Sequence, residues 1–302
     1  MARRRRRGRR AGDASRAIVL LLIAALLYGA WLVWQGQGGR PGSTPTTQTT
    51  GRAIRIATWN LRKFSETGRR NLVVIAEVIK SSGFDLIAIQ EVQQQGQEVL
   101  KLRRQLGEPW RASISEPAGS RERFAFVYRS DILDLLSQPV LVDSVETAGF
   151  ARKPFTASFR AWQFDFTLLT VHLWYGEAGY SERRSQESAA LANLAQRIVA
   201  GSGEKDLIVL GDFNEFGRAG NLHYLEGRGF GRLIHEPTNL SSTEIYDNLV
   251  IDAKHTREWA GTAGVVRFDE ARYGNDDKRA SDEVSDHRPA YADFRTDRPD
   301  DD

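Results

Sequence analysis

The sequence predicts an α/β domain of two packed β-sheets with helices on the outside. Three observations carry this. Short apolar runs rich in aromatic and β-branched residues alternate with stretches at helical spacing. The chain has 302 residues and is 41% apolar, enough for a sizeable core. No internal repeat of solenoid period is present, so the strands and helices must pack on one another in layers.

The elements follow in order. Residues 1–16 hold eight Arg and one Asp, a local charge of +7. The remaining 34 basic and 38 acidic residues put 17–302 at −4, so the overall +3 belongs to a short tail. Ala17 to Trp34 is a run of 18 residues without a charge. A membrane-spanning helix needs roughly 17–25 residues. The arginines before the run predict a cytoplasmic N-terminus, and Tyr28, Trp31 and Trp34 suit the far interface. The run therefore reads as an uncleaved single-pass anchor. A cleaved signal peptide is the weaker reading, because bulky residues fill the place of a cleavage site. A buried helix, or nucleic-acid binding by the basic tail, is weaker still. Residues 35–52 are rich in Gly, Gln, Thr and Pro and read as a flexible linker.

The folded domain is expected over 53–296, followed by an acidic, disordered tail at 297–302. Ile54–Thr58 and Asp85–Gln90 read as strands, Asn71–Lys80 and Gly96–Leu106 as helices. Phe124–Arg129, Phe155–Trp162 and Phe164–His172 read as strands, with a tight hairpin at Ala161-Trp162-Gln163. Glu182–Ala200 is a long amphipathic helix. Strands are expected at Asp206–Leu210, Ile245–Ile251, Gly264–Phe268 and Ala290–Phe294. The phenylalanines at 155, 159, 164 and 166 read as core packing rather than a base-stacking platform. Arg183 and Arg184 read as a solvated helix face, and His223, His235 and His255 as surface or structural residues. The chain has no cysteine, which excludes disulfides, disulfide-linked partners and thiolate metal sites.

Polar islands directly follow apolar strands. Asn60 follows IRIAT, Glu91 follows LIAIQ, His172 follows TLLTV, and Asp212 and Asn214 follow LIVLG. Near the C-terminus stands Ser285-Asp286-His287-Arg288-Pro289, a carboxylate beside an imidazole. Strand ends hold side chains on rigid supports, so these residues can line one rim of a sandwich. The types suit phosphodiester cleavage. Glu91 and Asn60 offer hard oxygen donors for a divalent cation such as Mg²⁺. His287 with Asp247 makes a base pair able to deprotonate water, and His172 can protonate the leaving oxygen. Asp212 and Asn214 can hold the phosphate, the water or a second metal.

On these motifs the chain resembles the endonuclease/exonuclease/phosphatase superfamily. Asn60, Glu91, His172, Asp212, Asn214, Asp247, Asp286 and His287 match its motifs in order, over about residues 53–296. The resemblance implies a four-layered α/β sandwich with two central mixed β-sheets. Finer segments are similar to the deoxyribonuclease I branch: Asn60 to Thr67, Arg121 to Arg129, and Arg152-Lys153-Pro154-Phe155. That likeness implies His287 and His172 as the acid–base pair, with Asp247 and Glu122 as their partners. It implies Asn60, Glu91 and Asp286 as metal ligands, and Arg152, Arg62 and Arg121 as substrate contacts. It implies Mg²⁺ as cofactor, with Mn²⁺ or assisting Ca²⁺ as variants, DNA as substrate and a monomeric catalytic domain. The chain departs from the branch at Lys153, where Glu is expected, and at Gln93, where an Arg usually enters the minor groove. The loop at 217–220 differs as well. A sphingomyelinase-type phospholipase, an inositol-phosphate phosphatase and an inactive binding module are the rival expectations.

Overall fold

The computed structural model describes residues 53–300, except 69, 120, 177–180 and 216–221. The basic tail, the apolar run at 17–34, the linker, the loop at 217–220 and the last two residues lie outside that set. Among the described residues, no helix is long and apolar enough to cross a membrane.

Thirteen strands run β1 (Ala53–Phe64), β2 (Leu86–Val92), β3 (Trp110–Ile114), β4 (Arg123–Arg129), β5 (Asp134–Leu135), β6 (Val140–Leu141), β7 (Phe155–Ala161), β8 (Phe164–His172), β9 (Leu207–Asp212), β10 (Gly231–Arg232), β11 (Asp247–Ile251), β12 (Trp259–Val265) and β13 (Ala290–Arg295). Among the described residues, six helices join them: α1 (Leu72–Ser81), α2 (Gln97–Leu106), α3 (Ser181–Gly201), α4 (His223–Glu226), α5 (Phe268–Tyr273) and α6 (Asp277–Glu283). One sheet has the order β12-β13-β1-β2-β4-β3 and the other β10-β11-β9-β8-β7-β5, with β6 also on β7. β1 and β2 are parallel, as are β8 and β9; the remaining pairs are antiparallel. Each parallel pair needs a crossover, and α1 and α3 supply them.

The alternation of strand side chains builds the layers. Ile54 and Ile56 of β1 join Phe164, Phe166 and Leu168 of β8 in a core between the sheets. Ala57, Trp59 and Leu61 point the other way, under α1, α2, α5 and α6. Leu169 and Val171 point outward under α3 and α4. The result is helix, sheet, sheet, helix, the expected four layers. The phenylalanine stripe is core: Phe126 stacks on Phe155 at 4.8 Å, and Phe164 on Phe166 at 4.7 Å. Burying each such ring contributes roughly 1.5–3 kcal/mol. The 161–163 hairpin is present, with Trp162 left-handed at φ 57°.

Two expectations are corrected. The strand expected at Gly264–Phe268 lies earlier, at Trp259–Val265. Phe268 instead opens α5 and packs on Trp59 at 5.4 Å between ring centroids. The helix face at Arg183-Arg184 is not solvated as a unit: Arg184 is buried, and Arg183 lies over the Trp174 ring at 4.1 Å. After β13 the described chain keeps contact with the domain, since Arg298 donates to the Arg257 carbonyl at 2.6 Å.

Candidate active site

Strand direction gathers the polar islands. β1, β2, β8 and β9 run the same way, and β4, β11 and β13 run against them. The C-terminal ends of the first group and the N-terminal ends of the second therefore share one rim. The sheets are tied together there by buried side chains. Gln90 Nε2 donates to Thr170 Oγ1 at 3.0 Å, and Asn60 Nδ2 donates to Asp212 Oδ2 at 2.9 Å.

Register does the rest. His172 pairs with Asp212 across β8 and β9, and Asp212 with Asp247 across β9 and β11. Gly211 makes the close approach possible. At φ 142°, a Cβ on it would sit 2.0 Å from the Val171 carbonyl oxygen. At the rim, in the last residues of β1 and β2 and just after β9, the backbone is strained. Arg62, Lys63, Glu91 and Asn214 adopt positive φ of 40°, 51°, 57° and 49°. Such conformations cost of order 1–3 kcal/mol each and persist where surrounding contacts fix them. Here the contacts are visible. Asn60 Oδ1 accepts from the Arg62 amide at 2.8 Å, and Glu91 Oε2 from the Lys63 amide at 2.8 Å. Asp212 Oδ1 accepts from the Asn214 amide at 2.9 Å.

Two histidine–carboxylate pairs face each other across Asp212. His287 Nδ1 meets Asp247 Oδ2 at 2.8 Å, and His172 Nδ1 meets Glu122 Oε2 at 3.0 Å. Their Nε2 atoms lie 3.9 and 3.5 Å from Asp212 Oδ2. Burial alone would lower the His287 pKa, but Asp247, Asp212 and Asp286 outweigh it and raise the group to about 10. Burial likewise acts to raise Glu122, but His172 and Arg152 prevail and hold it at about 2.

Asn60, Glu91, His172, Asp212, Asn214, Asp247, Glu122 and His287 thus gather in one assembly at the rim. Asn60 Nδ2 also donates to Glu91 Oε1 at 3.0 Å, and Asn214 Nδ2 to the Leu173 carbonyl at 2.9 Å. Asp286 is half-exposed and meets Arg62 at 3.3 Å. Arg62 also donates to Ser281 Oγ. Arg152 is turned to Glu122, 2.6 Å from Nε to Oε2, rather than out to solvent. Arg121 is exposed beside Glu122. His223 and His235 are exposed and His255 half-buried, none of them part of this assembly.

The donor set suits a hard divalent cation. Glu91 and Asp212 supply carboxylate oxygens, Asn60 an amide oxygen, and Asp286 a carboxylate at the edge. Asp212, Asp247 and His287 also bring one ligand atom each within 4.8 Å of one another.

Several supporting residues are not evident from the sequence. Ser285 Oγ donates to the Asn60 carbonyl at 2.6 Å and accepts from the His287 amide at 3.1 Å, locking the two motifs together. Thr238 Oγ1 accepts from the Asp247 amide at 3.0 Å. Tyr246 lies 5.5 Å from the His287 ring. Ser285, Tyr246 and Gln90 sit next to motif residues, which is their only sequence signal; Thr238 has none.

Known proteins resemble the chain to different degrees. A deoxyribonuclease of Thioalkalivibrio sp. (strain K90mix) is 30% identical over 270 residues, covering 80% of this chain and 71% of that protein. Deoxyribonuclease-1 of Oryctolagus cuniculus is 25% identical over 262 residues, covering 78% and 91%. Among solved structures, an endonuclease/exonuclease/phosphatase family protein from Bacteroides thetaiotaomicron superposes with a TM-score of 0.59 at 15% identity, covering 82% and 96%. The human nocturnin catalytic domain superposes with a TM-score of 0.56 at 18% identity, covering 80% and 94%. These two likenesses concern the fold. The sequence pattern of one family extends over residues 57–287, from the strand that carries Asn60 to His287 itself. The chain belongs to the endonuclease/exonuclease/phosphatase family.

Proposed function

We propose that this chain is a divalent-metal-dependent phosphodiesterase that cleaves DNA internally, in the manner of deoxyribonuclease I. The observation that carries the reading is the pair of histidine–carboxylate couples meeting at Asp212 beside Asn60 and Glu91. The deoxyribonucleases among the relatives support DNA as the substrate. His287, with Nδ1 fixed by Asp247, presents Nε2 to take a proton from the attacking water once a bound cation offsets the carboxylate charge that otherwise keeps it protonated. His172, fixed by Glu122, presents Nε2 to protonate the leaving oxygen. Asp212 and Asn214 orient the phosphate and water between them. Asn60, Glu91 and Asp286 would hold Mg²⁺, which neutralises phosphate charge and stabilises the charge that develops. Arg62 and Arg121 line the approach for the DNA backbone, while Arg152 holds Glu122. The apolar run at 17–34 and the arginines before it support a single-pass anchor with a monomeric catalytic domain outside the cytoplasm.

The test is nicking of supercoiled plasmid by detergent-solubilised full-length protein with Mg²⁺, with chelator, and in a His287→Ala variant. Chelator-sensitive nicking that the variant loses is the expected result. Intact plasmid together with hydrolysis of sphingomyelin or an inositol phosphate would reject DNA as the substrate. Protease accessibility of the domain in sealed cells checks its sidedness.

A further inference from the structure

We propose that Glu187 of α3 is a positioning residue for His172, acting through a clamp on two backbone segments that meet behind it. The inference rests on the reading of His172 as the proton donor to the leaving oxygen. Glu187 is 2% exposed, so its carboxylate is cut off from water. Its two oxygens serve different segments. Oε1 accepts from the Ala151 amide at 2.7 Å, and Oε2 from the Trp174 amide at 2.7 Å. Hydrogen bonds to a carboxylate are about twice as strong as those between neutral groups. A glutamine has one acceptor oxygen and one donor nitrogen, so it cannot accept from both amides in this way.

Both ends of the clamp lead to the same histidine. Trp174 stands just beyond His172, the last residue of β8. Ala151 precedes Arg152, which meets Glu122 Oε2 at 2.6 Å and donates to Oε1 at 2.9 Å. Arg152 Nη1 also donates to the His172 carbonyl at 3.5 Å. The turn that carries Glu122 is docked on the same segment. There the Lys153 amide donates to the Ala118 carbonyl at 2.9 Å, and a Cβ on Gly119 would sit 1.9 Å from the Ala151 carbonyl oxygen. Glu122 in turn meets His172 Nδ1 at 3.0 Å. One carboxylate thus fixes the backbone that follows the histidine and the loop behind the histidine's partner. Arg183 closes the outer side, 3.7 Å from Glu187 Oε1 and over the Trp174 ring. The other couple is held differently, His287 through Ser285 and Asp247 through Thr238. Loosening the clamp should therefore disturb the proton donor more than the proton acceptor.

The experiment uses full-length protein in detergent with Mg²⁺ and two thymidine phosphodiesters. One is a dinucleotide, whose leaving alkoxide needs a proton; the other is a p-nitrophenyl ester, whose phenolate leaves without one. Wild type, Glu187→Gln and His172→Ala are compared at saturating substrate. Glu187→Gln should lower kcat on the dinucleotide about 10–100-fold, a usual size for a group that orients another, and nearly spare the p-nitrophenyl ester. His172→Ala should show the same selectivity. A purely structural role would lower both esters alike. Equal loss on both in Glu187→Gln, or loss on neither, beside a selective His172→Ala, would overturn the proposal alone. An unselective loss in His172→Ala, or a wild type inert on both esters, would reject the reading of His172 and the proposal with it. Should Glu187→Gln fail to fold, Glu187→Asp, which keeps the charge but is one methylene short, serves instead with the same selectivity expected.

Discussion

Asp212 and Asp206 stand at the two ends of the same strand, each 1% exposed, with opposite surroundings. Asp212 accepts hydrogen bonds from Asn60 and from the Asn214 amide and faces two histidines. Asp206 lies among the charges of Glu258, Glu204 and Asp300, with the Thr256 hydroxyl as its opposing neighbour. Burial pushes the Asp206 carboxyl up to about 9, with the charges of Glu258 and Glu204 adding to it and Thr256 opposing. A sheet can thus bury a carboxylate at either end, but with histidines and amides around one and mostly other carboxylates around the other. At the rim, the buried charge organises hydrogen bonds to chemistry. At the far pole, burial and neighbouring carboxylates favour its protonated form.

The largest expected effect lies at the rim. His287→Ala removes the proton acceptor and should lower the cleavage rate about 10²–10⁴-fold. Asp212→Asn should cost a similar factor, because both histidines face it. Combining the two should add little, since the residues act as a unit. Single-turnover cleavage of a defined phosphodiester measures this. Full additivity would mean that Asp212 works apart from the histidines.

Next comes a stability effect just behind the rim. Arg288 is 2% exposed, donates to Asp269 Oδ1 at 2.7 Å, and also bonds the Leu240 carbonyl and Ser242. Arg288→Met leaves Asp269 buried and unpaired. Breaking a buried pair in this way costs about 3–5 kcal/mol. Denaturant unfolding of the variant should show it, and Asp269→Leu combined with Arg288→Met should recover part of the loss.

A smaller effect separates two roles for Arg152. Glu122→Gln should lower the rate about 10–100-fold, a usual size for a group that orients another. If Arg152 acts by holding Glu122, as the 2.6 Å contact indicates, Arg152→Ala adds little in the Glu122→Gln background. If it instead binds a DNA phosphate, the salt slope of binding should fall by nearly one in either background.

The sequence makes most of the rim visible because catalysis there uses polar residues where apolar strands stop. Asn60, Glu91, His172 and Asp212 each follow an apolar run, and a run is readable without knowing its neighbours. Partners are another matter. That Ser285 ties His287 to Asn60, or that Gln90 reaches Thr170 across the sheets, depends on contacts between segments 80 or more positions apart. The strand at Trp110–Ile114 escapes because its sequence, WRASI, mixes polar and apolar residues at a sheet edge. Trp259–Val265 is hidden by Gly261 and Gly264, while the apolar Phe268 draws the expected strand past its true end. Strands of two residues, such as β5 and β10, carry no periodicity at all. Arg184 reads as solvated because a basic residue in the first turn of a helix usually is.

The finest test of the comparison is the pH dependence of stability in chelator. Burial raises the Asp206 carboxyl from its ordinary 3.8 to about 9, so the folded state holds its proton more tightly. Its contribution is fully present below about pH 4 and is lost as pH rises toward 9. His287 is also raised, to about 10 from 6.5, so its contribution is present below 6.5 and is lost as pH rises through 10. The two groups tilt stability the same way in different windows. Asp206→Asn should flatten the slope that begins near pH 4, while His287→Ala should change only the slope above 6.5. At pH 7 Asp206→Asn should be the more stable protein, by about 2–4 °C if relaxation leaves about 1 kcal/mol of the penalty. A melting-temperature series in chelator from pH 4 to 9 measures both slopes. Equal slopes for wild type and Asp206→Asn would mean that the far pole already neutralises its buried charge, and the contrast between the two ends of the strand would vanish.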